Sequence, residues 1–216
     1  MNRLFSASLL GLASILLANF PAQAFTVIKN VNTGSPPVEK LVIFDKARGA
    51  ANHVTFVVDN ATAAVNADGA IQIDFLGNKK LDAEIHWKAD GPLGETFDAT
   101  KYNFLMLTCH FEGVTHKTDP FSNKVSDMPA GGNMWMAAVL RDKNDLPVGY
   151  VNLADAAEDG KTPITTTVLA IPMSLYSKGS PNDAHHVAGI AFPWGETHPE
   201  LSRDLHLIID KIALAE

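Results

Sequence analysis

Two neighbouring runs of the sequence carry aromatic and planar polar side chains at a regular spacing. Trp135 is in phase with Arg141 on a period of two, and Tyr150 is in phase with Asn152. The turn-forming residues 142–146 between the runs predict a hairpin, which would place the two pairs on neighbouring strands. Trp and Tyr rings stack on the apolar face of a pyranose, while Arg and Asn hydrogen-bond to its hydroxyl groups. The pattern therefore predicts an exposed sheet face that could bind a sugar.

The same aromatic residues also fit packing roles. Aromatic side chains dominate protein cores, so Trp135 is either a platform for a ligand or a core residue. A register slip of one residue, or a bulge, would turn either pair into the core. Trp194 lies between Pro193 and Gly195, where it is either a further ligand-binding residue or the anchor of a loop. The burial of these side chains decides between the two interpretations.

The acidic residue Asp210 interrupts an apolar run near the end of the sequence. On a strict period of two, it shares a strand face with Ile208 and Ile212. An acid on such a face needs a charged partner, hydrogen-bond donors or a cation. Calcium is the favoured ion, because it binds the oxygen ligands that strand ends and loops supply. The run 142–145 lacks the Gly and the distal Glu of an EF-hand loop, so it predicts a solvated hairpin turn.

The elements that position these residues are short β-strands. Apolar and polar residues alternate over 71–75 and again over 83–88, as in half-buried strands, and the second pattern places Trp87 in the core. The run 104–111 is apolar on both faces, as expected of a central strand. About ten such strands separated by turns predict an all-β fold, an antiparallel two-sheet β-sandwich. No repeat or linker divides the sequence, so residues 25–216 are expected to form a single domain.

The first 24 residues have the order of a cleaved signal peptide. Arg3 precedes the apolar stretch 9–18, and Ala22-Gln23-Ala24 gives a small-x-small cleavage site. Cleavage after Ala24 would leave a soluble protein that is secreted or periplasmic, because no later run is long and apolar enough to insert into a membrane. The formal net charge of −7 becomes −8 on loss of Arg3. This charge repels nucleic acid and favours a neutral polysaccharide over an anionic one.

Several segments match, in order, one known family of β-sandwiches. LVIFD at 41–45 is similar to an opening strand, MWMAAVLRDKND at 134–145 to a strand and hairpin, and IPMSLY with the late IDKIAL to closing strands. Together they resemble the galactose-binding-like jelly roll, a fold common in secreted non-catalytic carbohydrate-binding modules. The resemblance implies a sugar site on a concave face or at the loops. It also implies one structural calcium, with Asp210 and Asp45 as ligands, although Lys46 stands where the family often has a further acid.

The sequence carries no motif typical of a hydrolase nucleophile, a zinc peptidase or a phosphate-binding loop. The single cysteine, Cys109, lies in an apolar run, which predicts a buried and unreactive thiol. The expected function is non-catalytic binding of a neutral polysaccharide or oligosaccharide. Two alternatives stay open, because a fold does not determine a function. One is a polysaccharide lyase, with His110, Arg141 and Tyr150 as the reactive set, or a glycoside hydrolase. The other is a structural or matrix domain that binds proteins.

Overall fold

The computed structural model describes residues 26–27, 37–48, 53–91, 93–129, 137–152, 168–176, 184–193 and 201–216. Segment 1–24, for which the sequence predicts a signal peptide, lies outside these residues. The described strands are β1 (Thr26–Val27), β2 (Glu39–Asp45), β3 (Val54–Asp59), β4 (Thr62–Val65), β5 (Ile71–Gly77), β6 (Asp82–Trp87), β7 (Phe104–Thr118), β8 (Val125–Pro129), β9 (Ala137–Asp142), β10 (Pro147–Asn152), β11 (Val168–Pro172), β12 (Val187–Ala191) and β13 (Leu201–Ala215). A one-turn helix, α1, spans Met173–Tyr176. Among the described residues, no helix has the length and apolar character needed to cross a bilayer.

The described strands form two sheets. The larger, eight-stranded sheet has the order β1-β11-β7-β13-β5-β4, with β2 beside β13 and β8 beside β7. The smaller, five-stranded sheet has the order β10-β9-β12-β6-β3. The strand pairs are antiparallel, apart from the short parallel pairing of β1 with β11. The predicted antiparallel two-sheet arrangement is therefore confirmed.

The inner faces of the two sheets share one hydrophobic core, which makes the fold a β-sandwich. Ile73 and Phe75 of β5 are fully buried from the larger sheet, and Ile85 of β6 and Leu140 of β9 are fully buried from the smaller sheet. Burial of each such side chain contributes about 1.5–3 kcal/mol of hydrophobic free energy. Because side chains alternate along a strand, burial of these residues places their neighbours on the outer faces. The core thus decides which polar side chains are presented to solvent.

A β-bulge in β13 corrects the face predicted for Asp210. In the pairing with β7, Ile209 and Lys211 lie opposite consecutive residues, so Asp210 is the extra residue of the bulge. The bulge shifts the alternation by one position, so that Ile209 and Ile212 both belong to the core, whereas Ile208 lies on the outer face. The prediction that Ile208, Asp210 and Ile212 share one face is therefore wrong, because a period of two does not continue through a bulge.

A tight turn joins β9 and β10 into the hairpin that the sequence predicts. Asp142 is buried where the turn begins, and its Oδ1 accepts hydrogen bonds from the backbone N–H of Asn144 at 2.8 Å and of Leu146 at 2.9 Å. Asp145 has a φ of 63°, a left-handed conformation that a short polar side chain tolerates. The run 142–145 is therefore a hydrogen-bonded turn, as the sequence indicates.

Candidate functional site: the outer face of the smaller sheet

The middle strand of the smaller sheet, β12, presents small residues on its outer face. Gly189 lies opposite Arg141 of β9 and His86 of β6, and Ala191 lies opposite Glu84 of β6. A Cβ atom at Gly189 would come within 2.7 Å of a backbone carbonyl oxygen of β6 and 3.3 Å of His86 Nδ1. The outer face of β12 therefore has little side-chain volume of its own and lies between longer side chains of β6 and β9. We call this part of the face the β12 groove, with the buried Gly189 and Ala191 as its floor.

The side chain of Arg141 lies across the β12 groove and contacts acidic residues on the far side. Its Nη2 is 3.2 Å from Glu84 Oε1 and 3.5 Å from Asp82 Oδ2. At the near side, its Nε is 3.9 Å from Asp145 Oδ1, and its Nη1 donates to the Asp145 backbone carbonyl at 3.5 Å. The Arg141 side chain is only 18% exposed. The small floor residues make this crossing sterically feasible.

Among the described residues, these acidic groups outnumber the one cation within ion-pair distance of them. The carboxylates of Asp82, Glu84 and Asp145 carry three negative charges against the single positive charge of Arg141, a sum of −2 for these four side chains. Burial, together with repulsion from Glu84, raises the pKa of Asp82 above its usual value despite the opposing charge of Arg141. The groove therefore attracts cations and hydrogen-bond donors, and it repels anions.

Three side chains of the groove have the chemistry of metal ligands. Glu84, His86 and Asp145 each place one ligand atom within 4.8 Å of the other two. His86 donates its Nε2 hydrogen to Glu84 Oε2 at 2.8 Å. Carboxylate oxygen and imidazole nitrogen are common ligands of divalent metals. The structure thus contains an acidic and histidine-containing cluster that could hold such an ion.

An exposed aromatic ring lies at the end of the same face. Tyr150 of β10 is 72% exposed and lies opposite Val139, which is two residues from Arg141 on β9. The structure therefore brings Arg141 and Tyr150 to one sheet face. Asn152, the other predicted ligand-binding residue of this strand, lies opposite Ala137 in the backbone pairing. Trp135 and Trp194, the other predicted ligand-binding residues, lie outside the described residues.

The two acids predicted as calcium ligands lie in the larger sheet and contact basic side chains. Asp210 Oδ1 is 2.6 Å from Lys46 Nζ. Asp45 Oδ2 is 3.4 Å from Arg48 Nε, and its Oδ1 accepts the backbone N–H of Ala47 at 2.9 Å. Lys46 thus supplies the charged partner that an acid in this position needs.

The reactive set proposed for a lyase is not assembled. His110 belongs to β7 of the larger sheet, where its Nε2 is 3.2 Å from Glu112 Oε1. Arg141 and Tyr150 belong to the smaller sheet, on the opposite side of the sandwich. A single substrate bound on one outer face could not contact all three side chains. The sequence alternative that rests on this set is therefore not supported by the geometry.

The sequence interpretation missed the acidic wall of the groove. The segment that begins at Asp82 and continues through Glu84 to His86 places three polar side chains on one strand face by simple alternation. This alternation can be read from the sequence. The contact of these acids with Arg141 cannot be read from it, because the contact depends on β12 lying between β6 and β9 in the sheet. Local alternation predicts which face a residue lies on, but not which strand lies beside it.

Comparison with known proteins gives structural but not sequence matches. No protein-family model and no curated protein matches the sequence. The chain is similar to a family 11 carbohydrate-binding module of a cellulosomal cellulase of Clostridium thermocellum, with 10% identity over 84% of this chain and 97% of that one, at a TM-score of 0.41. A family 11 module from the same organism, in complex with a β-1,3-1,4-mixed-linked tetrasaccharide, gives 12% identity, 84% and 97% coverage, and a TM-score of 0.44. A mutant of a carbohydrate-binding module of family 29 gives 12% identity, 81% and 89% coverage, and a TM-score of 0.39. All three of these structures are carbohydrate-binding modules.

Proposed function

We propose that the protein is an exported, non-catalytic carbohydrate-binding protein that binds a neutral polysaccharide or oligosaccharide across the outer face of the smaller sheet. The observation that carries the proposal is Tyr150, a largely exposed aromatic ring on the same face as the polar β12 groove. A tyrosine ring in this position offers a flat apolar surface to one sugar ring. The groove beside it offers hydrogen-bonding groups to the next.

The dimensions of the face suit an extended ligand. Tyr150 is on β10, and Glu84 is three strands away on β6. At about 4.8 Å per strand, this separation is about 14 Å, which is longer than a single pyranose ring. Arg141 and the 65%-exposed Asp145 lie between the two ends, where they donate and accept hydrogen bonds with sugar hydroxyl groups. Trp135, Asn152 and Trp194 remain part of the proposed site on the strength of the sequence.

The charge of the face supports a neutral ligand. Asp82, Glu84 and Asp145 would repel a carboxylated or sulfated glycan at close range. Sugar hydroxyl groups, in contrast, donate readily to carboxylates, and such charge-assisted hydrogen bonds are stronger than neutral ones. The acidic net charge of the whole sequence acts in the same direction.

The remaining parts of the proposal follow the sequence. Residues 1–24 would direct export and be removed, which would make the protein secreted or periplasmic and leave 25–216 as a single domain. A structural calcium held by Asp45 and Asp210 stays a prediction. Such an ion would have to compete with Lys46 and Arg48 for the two carboxylates.

The proposal is tested by calorimetric titration with neutral glycans. The first probe is the mixed-linked tetrasaccharide that the family 11 module binds, followed by mixed-linkage β-glucan and, as an anionic comparison, polygalacturonate. We expect Tyr150→Ala to weaken neutral glycan binding about tenfold or more, the equivalent of losing one stacking contact, without lowering the melting temperature. Phe121→Ala is the matched control. Phe121 is 95% exposed, but it lies on the loop between β7 and β8 of the larger sheet, so its removal should leave binding unchanged.

The same experiment separates the alternatives. Equal binding by the wild type and Tyr150→Ala would refute the proposed face, and no binding to any glycan would refute the carbohydrate function. Release of reducing ends during the incubation would instead indicate a glycoside hydrolase. A protein that neither binds nor cleaves glycans would leave the structural or matrix role.

A further inference from the structure

We infer that Glu84, His86 and Asp145 form a binding site for one divalent transition-metal ion of the Zn²⁺ class. The inference goes beyond the proposed carbohydrate function and does not depend on it. Among the described residues, these three side chains are the set whose histidine and carboxylate ligand atoms converge. Glu84 and His86 lie on β6, and Asp145 lies in the turn between β9 and β10.

Two of the three ligand atoms lie close to the separation that a metal requires. Zn²⁺ binds His nitrogen and carboxylate oxygen at about 2.0–2.2 Å, which in tetrahedral geometry places neighbouring ligand atoms about 3.3–3.6 Å apart. His86 Nε2 and Glu84 Oε2 are hydrogen-bonded at 2.8 Å, so a widening of about half an ångström would let a metal replace the hydrogen that they share. Asp145 has an exposed side chain on a turn, and one of its carboxylate oxygens lies within 4.8 Å of the other two ligand atoms.

The two closer ligands are held by the sheet. Ile85 lies between them and is fully buried in the core, which fixes both of their side chains on the outer face. Strands β3 and β12 pair with β6 on its two sides. Gly189 leaves room for the imidazole of His86, because even one added carbon atom would lie 3.3 Å from Nδ1. A metal site built on such a strand is more precise than one built on loops.

The charges of the groove favour a divalent cation. Arg141 contacts Glu84 through Oε1, which leaves Oε2 directed towards His86. Arg141 therefore orients the carboxylate without occupying its metal-facing oxygen. The three carboxylates and Arg141 sum to −2, which a single divalent ion neutralises.

The donor atoms select the class of metal. An imidazole nitrogen with two carboxylates suits Zn²⁺ and its neighbours in the transition series, whereas Ca²⁺ and Mg²⁺ prefer oxygen ligands alone. This site therefore differs in chemistry and location from the calcium expected at Asp45 and Asp210. Three protein ligands would leave a coordination position for water or for a ligand atom.

The test is calorimetric titration of the protein, without a histidine tag, with Zn²⁺, and absorption spectroscopy with Co²⁺ as a coloured substitute. We expect one ion per chain, binding that Ca²⁺ at the same concentration does not displace, and a loss of affinity of about tenfold or more in His86→Ala. Asp145→Asn is a second variant that removes a ligand at an exposed position where Asn also tolerates the left-handed backbone. It should weaken binding without lowering the melting temperature of the metal-free protein.

His110→Ala is the matched control, because His110 also contacts a carboxylate but belongs to the other sheet. Its affinity for Zn²⁺ should equal that of the wild type. A second control replaces the adjacent, exposed His185 and His186, which are the obvious place for adventitious binding. The inference is overturned if no ion binds, if His86→Ala and Asp145→Asn bind like the wild type, or if the His185 and His186 control alone loses binding.

Discussion

Replacement of Arg141 by Met should lower the free energy of unfolding by about 3 kcal/mol at neutral pH. Met retains much of the volume of the Arg stem, so the change removes mainly the guanidinium group. Three carboxylates then lose the guanidinium that each of them contacts. Removal of one partner from a fully buried ion pair costs about 3–5 kcal/mol, and the partial exposure of Asp82 and Asp145 places the expected value at the low end.

The loss should depend on pH in a defined direction. The pKa of Asp82 is already raised by burial and by Glu84, and the variant removes the guanidinium that opposes this shift. A carboxyl group whose folded pKa is raised contributes most to stability below its unfolded pKa, and that contribution is lost as the pH rises through the folded pKa. The variant should therefore be much closer to the wild type at about pH 4 than at neutral pH.

The assay is urea unfolding followed by tryptophan fluorescence at the two pH values. Arg48→Met serves as the control, because Arg48 also contacts an acid but its side chain is 69% exposed. The control should change stability by no more than about 0.5 kcal/mol. An equal loss at both pH values in Arg141→Met would refute the electrostatic explanation and would leave lost packing as the cause.

Three further predictions follow from single residues. Burial, with a smaller effect of the negative charge of Asp210, raises the pKa of the Cys109 thiol to about 12. The thiol should therefore not react with a disulfide reagent in the native protein, and it should react fully in urea. Rapid labelling without denaturant would contradict this. Gly113→Ala should lower the free energy of unfolding by about 3 kcal/mol, because Gly113 has a φ of 90° and a Cβ atom there would lie 1.9 Å from the Asp204 carbonyl oxygen. Gly77 has a φ of 80° but open space around it, so Gly77→Ala should lower the free energy of unfolding by only about 1 kcal/mol. A similar loss in both would show that backbone conformation, not the contact with β13, sets the cost. Asp210→Ala should lower the melting temperature, and a calcium chelator should lower that of the wild type but not of the variant; equal melting with calcium and chelator would remove the calcium claim and leave Lys46 as the partner of Asp210.

The sequence predicts those parts of the fold that depend on local alternation. The pattern around Ile73 places its strand half in the core, and the pattern around Trp87 correctly buries that residue. The run that begins at Phe104 is apolar on both faces, and it becomes β7, which lies between β11 and β13 inside the larger sheet. In each case the information is contained within a few consecutive residues.

The parts that the sequence does not predict depend on contacts between distant strands. The bulge at Asp210 arises where β13 pairs with β7, and nothing in the β13 sequence marks it. The approach of Arg141 to Glu84 requires β12 to lie between their strands, and it requires the floor residues of that strand to be small. Tyr150 and Arg141 could be placed on one face from the sequence, because a short hairpin links them, but the acids that surround Arg141 could not.

The position of β13 has a consequence for how the chain folds. This strand pairs with β7 along its whole length, with β5 before the bulge and with β2 after it. All three partners precede it in the sequence, and the ion pair between Lys211 and Glu39 joins residues 172 positions apart. The centre of the larger sheet is therefore filled by a strand that is synthesised after all three of its partners. Such distant contacts make folding slow, and until β13 arrives the edges of β2, β5 and β7 stay unpaired. A chain shortened before Leu201 should accordingly aggregate rather than fold into a smaller sandwich.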